Sequence, residues 1–123
     1  MNEPSHPGPP GSSPAGELPP VLALPDEIDY ANARVIADRL TAALIPGLPA
    51  LIIDLTATTF CDSAGVGALA RAHGRAAVTG TRIHLAAPPG PVTRILHVTG
   101  LAQLWTIHPT LAAALRGAGR PSS

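Results

Sequence analysis

The chain has no lysine, a single cysteine and only three aromatic residues, Tyr30, Phe60 and Trp105. Each shortage excludes something. One cysteine, Cys61, makes neither an internal disulfide framework nor a cysteine-rich zinc site, and it fits a reducing, cytoplasmic setting. With so few aromatics the core must be aliphatic. No apolar run approaches the ~20 residues that span a bilayer. The N-terminus has neither the basic nor the apolar region of a signal peptide, so no membrane partner is expected. The 8 basic and 8 acidic residues balance, which argues against a nucleic-acid binder. A length of 123 residues leaves room for one domain, and 46% hydrophobic against 13% charged residues lets that domain fold.

Where the charges lie says more than their sum. All acids (Glu3, Glu17, Asp26, Glu27, Asp29, Asp38, Asp54 and Asp62) occur at or before position 62. Six of the eight arginines follow it, so residues 1–62 carry −6 and residues 63–123 carry +6. Either the two halves fold into one neutral body, or the surface is polarised and steers a partner.

Residues 1–20 hold 7 Pro, 3 Gly and 3 Ser. Such a segment has little to bury and is expected to be an extended, solvated tail. Residues 118–123 are expected to be a frayed end, with fraying starting at Gly117, and the folded domain to be 21–117. Inside it, apolar runs of strand length alternate with helical patterns. Strands are expected at Val21–Leu24, Leu51–Leu55 (the buried central strand), Arg82–Ala86 and Leu104–Ile107. A first helix over Ala31–Leu44, capped by Asp29, places Ile36, Leu40, Ala43 and Leu44 on one face. A second, from near Ser63 to Val78, is expected to bury Val66, Leu69, Ala70, Ala76 and Ala77. A third, Pro91–Val98, has proline in its first turn and Gly100 just past its end, with an apolar face of Val92, Ile95 and Leu96. A last helix runs from Pro109 to Arg116, with Leu111 and Leu115 one turn apart. The alternation predicts an α/β fold: a single domain with a small, mostly parallel β-sheet covered by about four helices.

The unusual stretch is Phe60-Cys61-Asp62-Ser63-Ala64-Gly65-Val66-Gly67, which follows the central strand and opens a helix. Asp62 or Ser63 would serve as the N-cap. Each of Gly65 and Gly67 costs ~1 kcal/mol against alanine in a helix, which suggests that something approaches the backbone closely, either another element of the fold or a partner protein. Three enzymatic readings fail. A nucleophile elbow needs glycine where Cys61 stands and an acid after the serine, and none follows Asp62. Gly65 to Ala70 matches G-x-G-x-x-A by chance, ten residues after the strand and without an acid ~20 residues on. The histidines (His6, His73, His84, His97 and His108) show no metal spacing and read as surface or half-buried filler. No cofactor or catalytic residue is expected. A serine exposed at a helix N-terminus among small residues is, however, a good phosphate acceptor, since the helix end tolerates the added charge.

Leu51-Ile52-Ile53-Asp54-Leu55-Thr56 followed by Thr59-Phe60-Cys61-Asp62-Ser63-Ala64-Gly65-Val66-Gly67-Ala68-Leu69 resembles the central motif of STAS domains, which sulfate transporters and bacterial anti-sigma factor antagonists share. Glu27-Ile28-Asp29, Ala87-Pro88 and Thr99-Gly100-Leu101 add to the likeness, which covers roughly 21–116. Asp26 stands where the family usually has glycine. The family's opening strand has no counterpart, which implies an exposed edge able to pair with another chain and a monomer or weak dimer. In the antagonist subgroup the serine corresponding to Ser63 is phosphorylated by the cognate anti-sigma factor, an ATP-binding, histidine-kinase-like serine kinase. The unphosphorylated form binds that kinase and frees the sigma factor, and a serine phosphatase resets the cycle. The resemblance implies a partner-binding surface of Asp29, Asp62, Ser63, Ala64, Gly65 and Gly67. The alternative is a structural STAS module in a complex, where Ser63 is only a cap.

Overall fold

A computed structural model describes residues 18–119. Among the described residues, six strands and four helices are joined by short turns around a parallel sheet. β1 (Val21–Ala23), β3 (Ala50–Asp54), β5 (Arg82–Ala86) and β6 (Thr106–His108) form a four-stranded sheet in the order β1-β3-β5-β6, every pair parallel. α1 (Ala33–Ala43), α2 (Ser63–Thr79), α3 (Pro91–Val98) and α4 (Leu111–Ala118) connect and cover it. Two further strands, β2 (Glu27–Ile28) and β4 (Phe60–Cys61), pair in parallel outside that sheet. No helix among the described residues is long and apolar enough to cross a membrane.

Alternation along the strands builds two cores. Leu51, Ile53, Ile83 and Leu85 face Ile36, Leu40, Leu69, Ala72 and Leu96 from α1, α2 and α3. Ala50, Ile52 and Ala86 point the other way, against Ala114 and Ala118 of α4. β3 is apolar and buried from Ala50 to Ile53 because both its faces are covered there. Its central place agrees with the sequence, as do β5, the helix at Pro91–Val98 and the left-handed Gly80 and Gly100 after α2 and α3.

Several expectations are corrected. Asp29 is not the cap of α1. Its side chain accepts from the Ala31 N–H at 3.0 Å, its carbonyl accepts from Asn32 and Ala33, and the helix starts at Ala33 after Asn32. Asp29 thus closes a turn one step before the helix. α2 buries Gly65, Ala68, Leu69, Ala72, Ala76 and Thr79, whereas Ala70 and Ala77 are exposed. The face is set by Gly65, the position that needs close approach, rather than by the bulkier residues. The last strand is Thr106–His108 rather than Leu104–Ile107, because Leu101–Gln103 forms a 3₁₀ turn that seats Trp105 in the core. α4 begins at Leu111 behind a Thr110 cap and continues to Ala118, whose side chain is buried, so fraying does not start at Gly117. The tail expected at 1–20 lies outside the described residues up to position 17, as does the frayed end from 120 on. β1 is an edge strand of the sheet, with one carbonyl, that of Ala23, taken by the Arg39 guanidinium at 3.2 Å.

His84 is not filler either. It alternates to the α4 face of β5, is 6% exposed, and its Nδ1 lies 3.0 Å from Nε2 of His108 on β6. Gly117 packs on the His108 ring, where a Cβ would meet Cε1 at 2.5 Å. Burial, then the His108 and Arg82 charges, lowers the His84 pKa, and burial lowers that of His108.

Candidate functional site

The β2–β4 pair brings residues 27–30 to residues 60–63. Glu27 stands opposite Phe60 and Ile28 opposite Cys61. The Asp26 carbonyl accepts from Thr59 N–H at 2.7 Å, and the Ile28 carbonyl from Asp62 N–H at 3.0 Å. A hydrogen bond from the Thr58 hydroxyl to the Pro25 carbonyl, 2.7 Å, anchors the approach. Asp29 and Asp62 therefore leave the small sheet side by side.

Asp62 is the N-cap of α2. Its Oδ1 accepts from the Gly65 N–H at 3.0 Å, and its Oδ2 accepts from the Tyr30 N–H at 3.2 Å. One carboxylate thus satisfies a helix-end donor and ties the turn before α1 to the start of α2. The Asn32 side chain completes that turn: Oδ1 accepts from the Asp29 N–H at 3.0 Å and Nδ2 donates to the Glu27 carbonyl at 2.8 Å. Ser63, the first residue of α2, is exposed. Among the described residues its hydroxyl has no hydrogen-bond partner. The N–H groups of Ser63 and Ala64 belong to the first turn, where the helix supplies no acceptor.

The two glycines separate. A Cβ on Gly65 would lie 2.6 Å from both Cys61 Sγ and Ile28 Cγ2, so the close approach is made by another element of the fold. Gly65 is buried and leaves the contact surface. A Cβ on Gly67 would meet only the Arg71 guanidinium, at an ordinary 3.7 Å. Nothing in the fold requires glycine there. Gly67 lies one turn beyond Ser63 on the same side of α2.

Cys61 is buried beneath this surface. Burial and then the Asp62 charge push its thiol pKa up to about 11. Of the residues picked out in the sequence, Asp29, Asp62, Ser63 and Ala64 come together, with Gly67 a turn away. Asp26, Glu27, Asp29 and Asp62 share this end, as the polarised reading expects. Arg71 departs from it, because its guanidinium reaches back to Gly67 rather than lying down the helix. Two residues were missed: Tyr30 is 81% exposed and Phe60 49%, each beside the Asp62 cap. In a chain with three aromatics, their position next to the motif was the available signal.

Known proteins share this sequence pattern and fold. The sequence profile of the STAS domain matches residues 15–114. The anti-sigma-F factor antagonist RsfA of Mycobacterium tuberculosis is 31% identical over 91 residues, 72% of this chain and 71% of that protein. The crystal structure of an anti-sigma factor antagonist from Mycobacterium paratuberculosis superimposes with a TM-score of 0.67 at 31% identity, covering 81% of this chain and 85% of the other. A sulfate transporter family protein from Wolinella succinogenes shares the fold, with a TM-score of 0.67 at 19% identity over 90% of this chain and 95% of its own. On the matched motif, the fold and these relatives together, the chain belongs to the STAS domain family.

Proposed function

We propose that this chain is an anti-sigma factor antagonist whose Ser63 end binds a cognate anti-sigma factor and thereby frees a sigma factor. The partner is an ATP-binding, histidine-kinase-like serine kinase that phosphorylates Ser63 and so ends the contact. A serine phosphatase restores the binding form. Asp29, Asp62, Ser63, Ala64 and Gly67 form the docking surface.

The observation that carries this reading is the division of labour between neighbours: Asp62 caps the helix, which leaves the exposed Ser63 hydroxyl without a structural task. A serine needed only as a cap would hold the bond that Asp62 holds. Phosphorylation adds about −1.5 to −2 charges. The start of α2 tolerates them, because its unpaired N–H groups and dipole favour an anion. The partner does not: a contact fitted to a neutral hydroxyl beside Asp62 would have to desolvate a dianion. The fold therefore persists while the interface fails. The mycobacterial relatives, named as antagonists, support the same partner class.

The test is phosphorylation in vitro. Incubation with ATP and each anti-sigma factor kinase encoded in the same genome is expected to add the mass of one phosphate, and Ser63→Ala to abolish the gain. Phosphate mapped to Thr56, Thr58 or Thr59 would overturn the assignment.

A further inference from the structure

We infer that Tyr30 and Phe60 are the apolar anchors of this docking surface, and that the partner presents an apolar pocket rimmed by arginine or lysine. The inference rests on the antagonist reading for the partner's identity, but the anchors follow from the molecule itself.

Trp105, the third aromatic, is buried in the core. The other two are exposed, and both flank Asp62. Tyr30 donates its backbone N–H to that carboxylate, and Phe60 lies two residues before it. Cys61 turns inward over Gly65, so Phe60, its neighbour on a strand, points to the opposite side. Neither ring is there to fill the core. Their backbones are nonetheless held: Phe60 by pairing with Glu27 and by the Asp26 carbonyl, Tyr30 by Asp62. Aromatic groups on a fixed backbone lose little entropy on binding, and such residues dominate interface energies when they enter a desolvated pocket.

The surroundings select the occupant. Asp26 and Glu27 are exposed, and Asp29 and Asp62 half-exposed, around the two rings. Arg34, in the first turn of α1, and Arg71, beside Gly67, bring cations toward this end. With these six groups the face carries a net negative charge, and a second copy would bring the same net charge against it, which disfavours self-association through this face. A partner with a cationic rim gains from the same four groups, mainly in association rate.

The experiment measures binding of the unphosphorylated protein to the purified anti-sigma factor kinase that modifies it, at low and high salt, with Tyr30→Ala, Phe60→Ala and the double variant. Circular dichroism and thermal melting check folding, which the exposure of both rings should preserve. Each truncation is expected to weaken binding about tenfold or more, chiefly through faster dissociation. Tyr30→Phe and Phe60→Leu should recover most of the loss, and salt should slow association of all variants alike. A folded double variant that binds within threefold of the wild type overturns the anchors while leaving the antagonist reading intact. Failure of the wild type to bind any such kinase overturns both. A wild-type dimer in ultracentrifugation that the double variant abolishes would assign the rings to self-association and overturn the partner pocket.

Discussion

The Asp62 carboxylate accepts the Tyr30 backbone N–H at 3.2 Å, joining the start of α2 to a turn 32 positions earlier in the chain. Its other oxygen caps α2. Asp62→Ala removes both bonds and is expected to cost about 1 kcal/mol for the cap alone, with a further loss as the turn at residues 29–32 loosens. Ser63→Ala should stay within ~0.5 kcal/mol of the wild type, as surface changes do. Urea denaturation of the two variants makes the comparison. Equal destabilisation would show that Ser63 shares the structural load.

The two glycines of α2, two residues apart, should respond in opposite directions. Gly65→Ala forces a methyl against Cys61 and Ile28 and is expected to destabilise by roughly 1–3 kcal/mol, the range for overpacking. Gly67→Ala meets no obstacle and should stabilise by up to ~1 kcal/mol. If the partner's backbone comes close at Gly67, that more stable variant binds more weakly. Thermal melts and a binding titration on the same samples separate the effects.

Ser63→Asp places an acid in the first turn of α2. The helix dipole favours it by typically 0.3–1 kcal/mol, so the melting temperature should hold or rise slightly while affinity for the anti-sigma factor falls. A variant that unfolds refutes the tolerance of this helix end for charge. One that binds normally refutes the switch.

The His84–His108 pair predicts an acid limit to stability. Both pKa values are lowered in the folded protein from the usual 6.5, so below that pH the unfolded chain binds protons that the folded one does not. Stability is therefore fully present above pH 6.5 and is lost as pH falls toward the folded-state values. Protonating both rings also removes the acceptor their shared bond needs. Replacing His84 with leucine should flatten the decline between pH 7 and pH 5, measured by denaturation at each pH. An unchanged slope would place the acid sensitivity elsewhere.

Much of the fold was legible because burial left a strong pattern. β3 is covered on both sides and reads as an apolar run from Ala50 to Ile53, and Ile83, Leu85 and Ala86 mark β5. Pro91 and Gly100 bracket α3. The buried face of α2 was misread because glycine and alanine make it, and they carry little hydrophobic signal. β2 and β4 escaped notice because two residues have no periodicity, yet their pairing sets Asp29 beside Asp62. The motif located Ser63, but only coordinates could show that Asp62 alone does the capping. Likewise, His84 and His108 are 24 residues apart, and only the parallel register of β5 and β6 makes them neighbours.

Cys61 sits two residues before Ser63, yet the fold keeps the two kinds of chemistry apart. Burial and then the Asp62 charge push its pKa up to about 11, and its sulfur packs against Gly65 of α2, so the thiolate is a small minority form at neutral pH. Peroxide and disulfide exchange, which require the thiolate, have almost nothing to attack. Cys61 therefore gives oxidants little purchase on this surface, and under the proposed switch such a stimulus would reach Ser63 secondhand, through the partner enzymes.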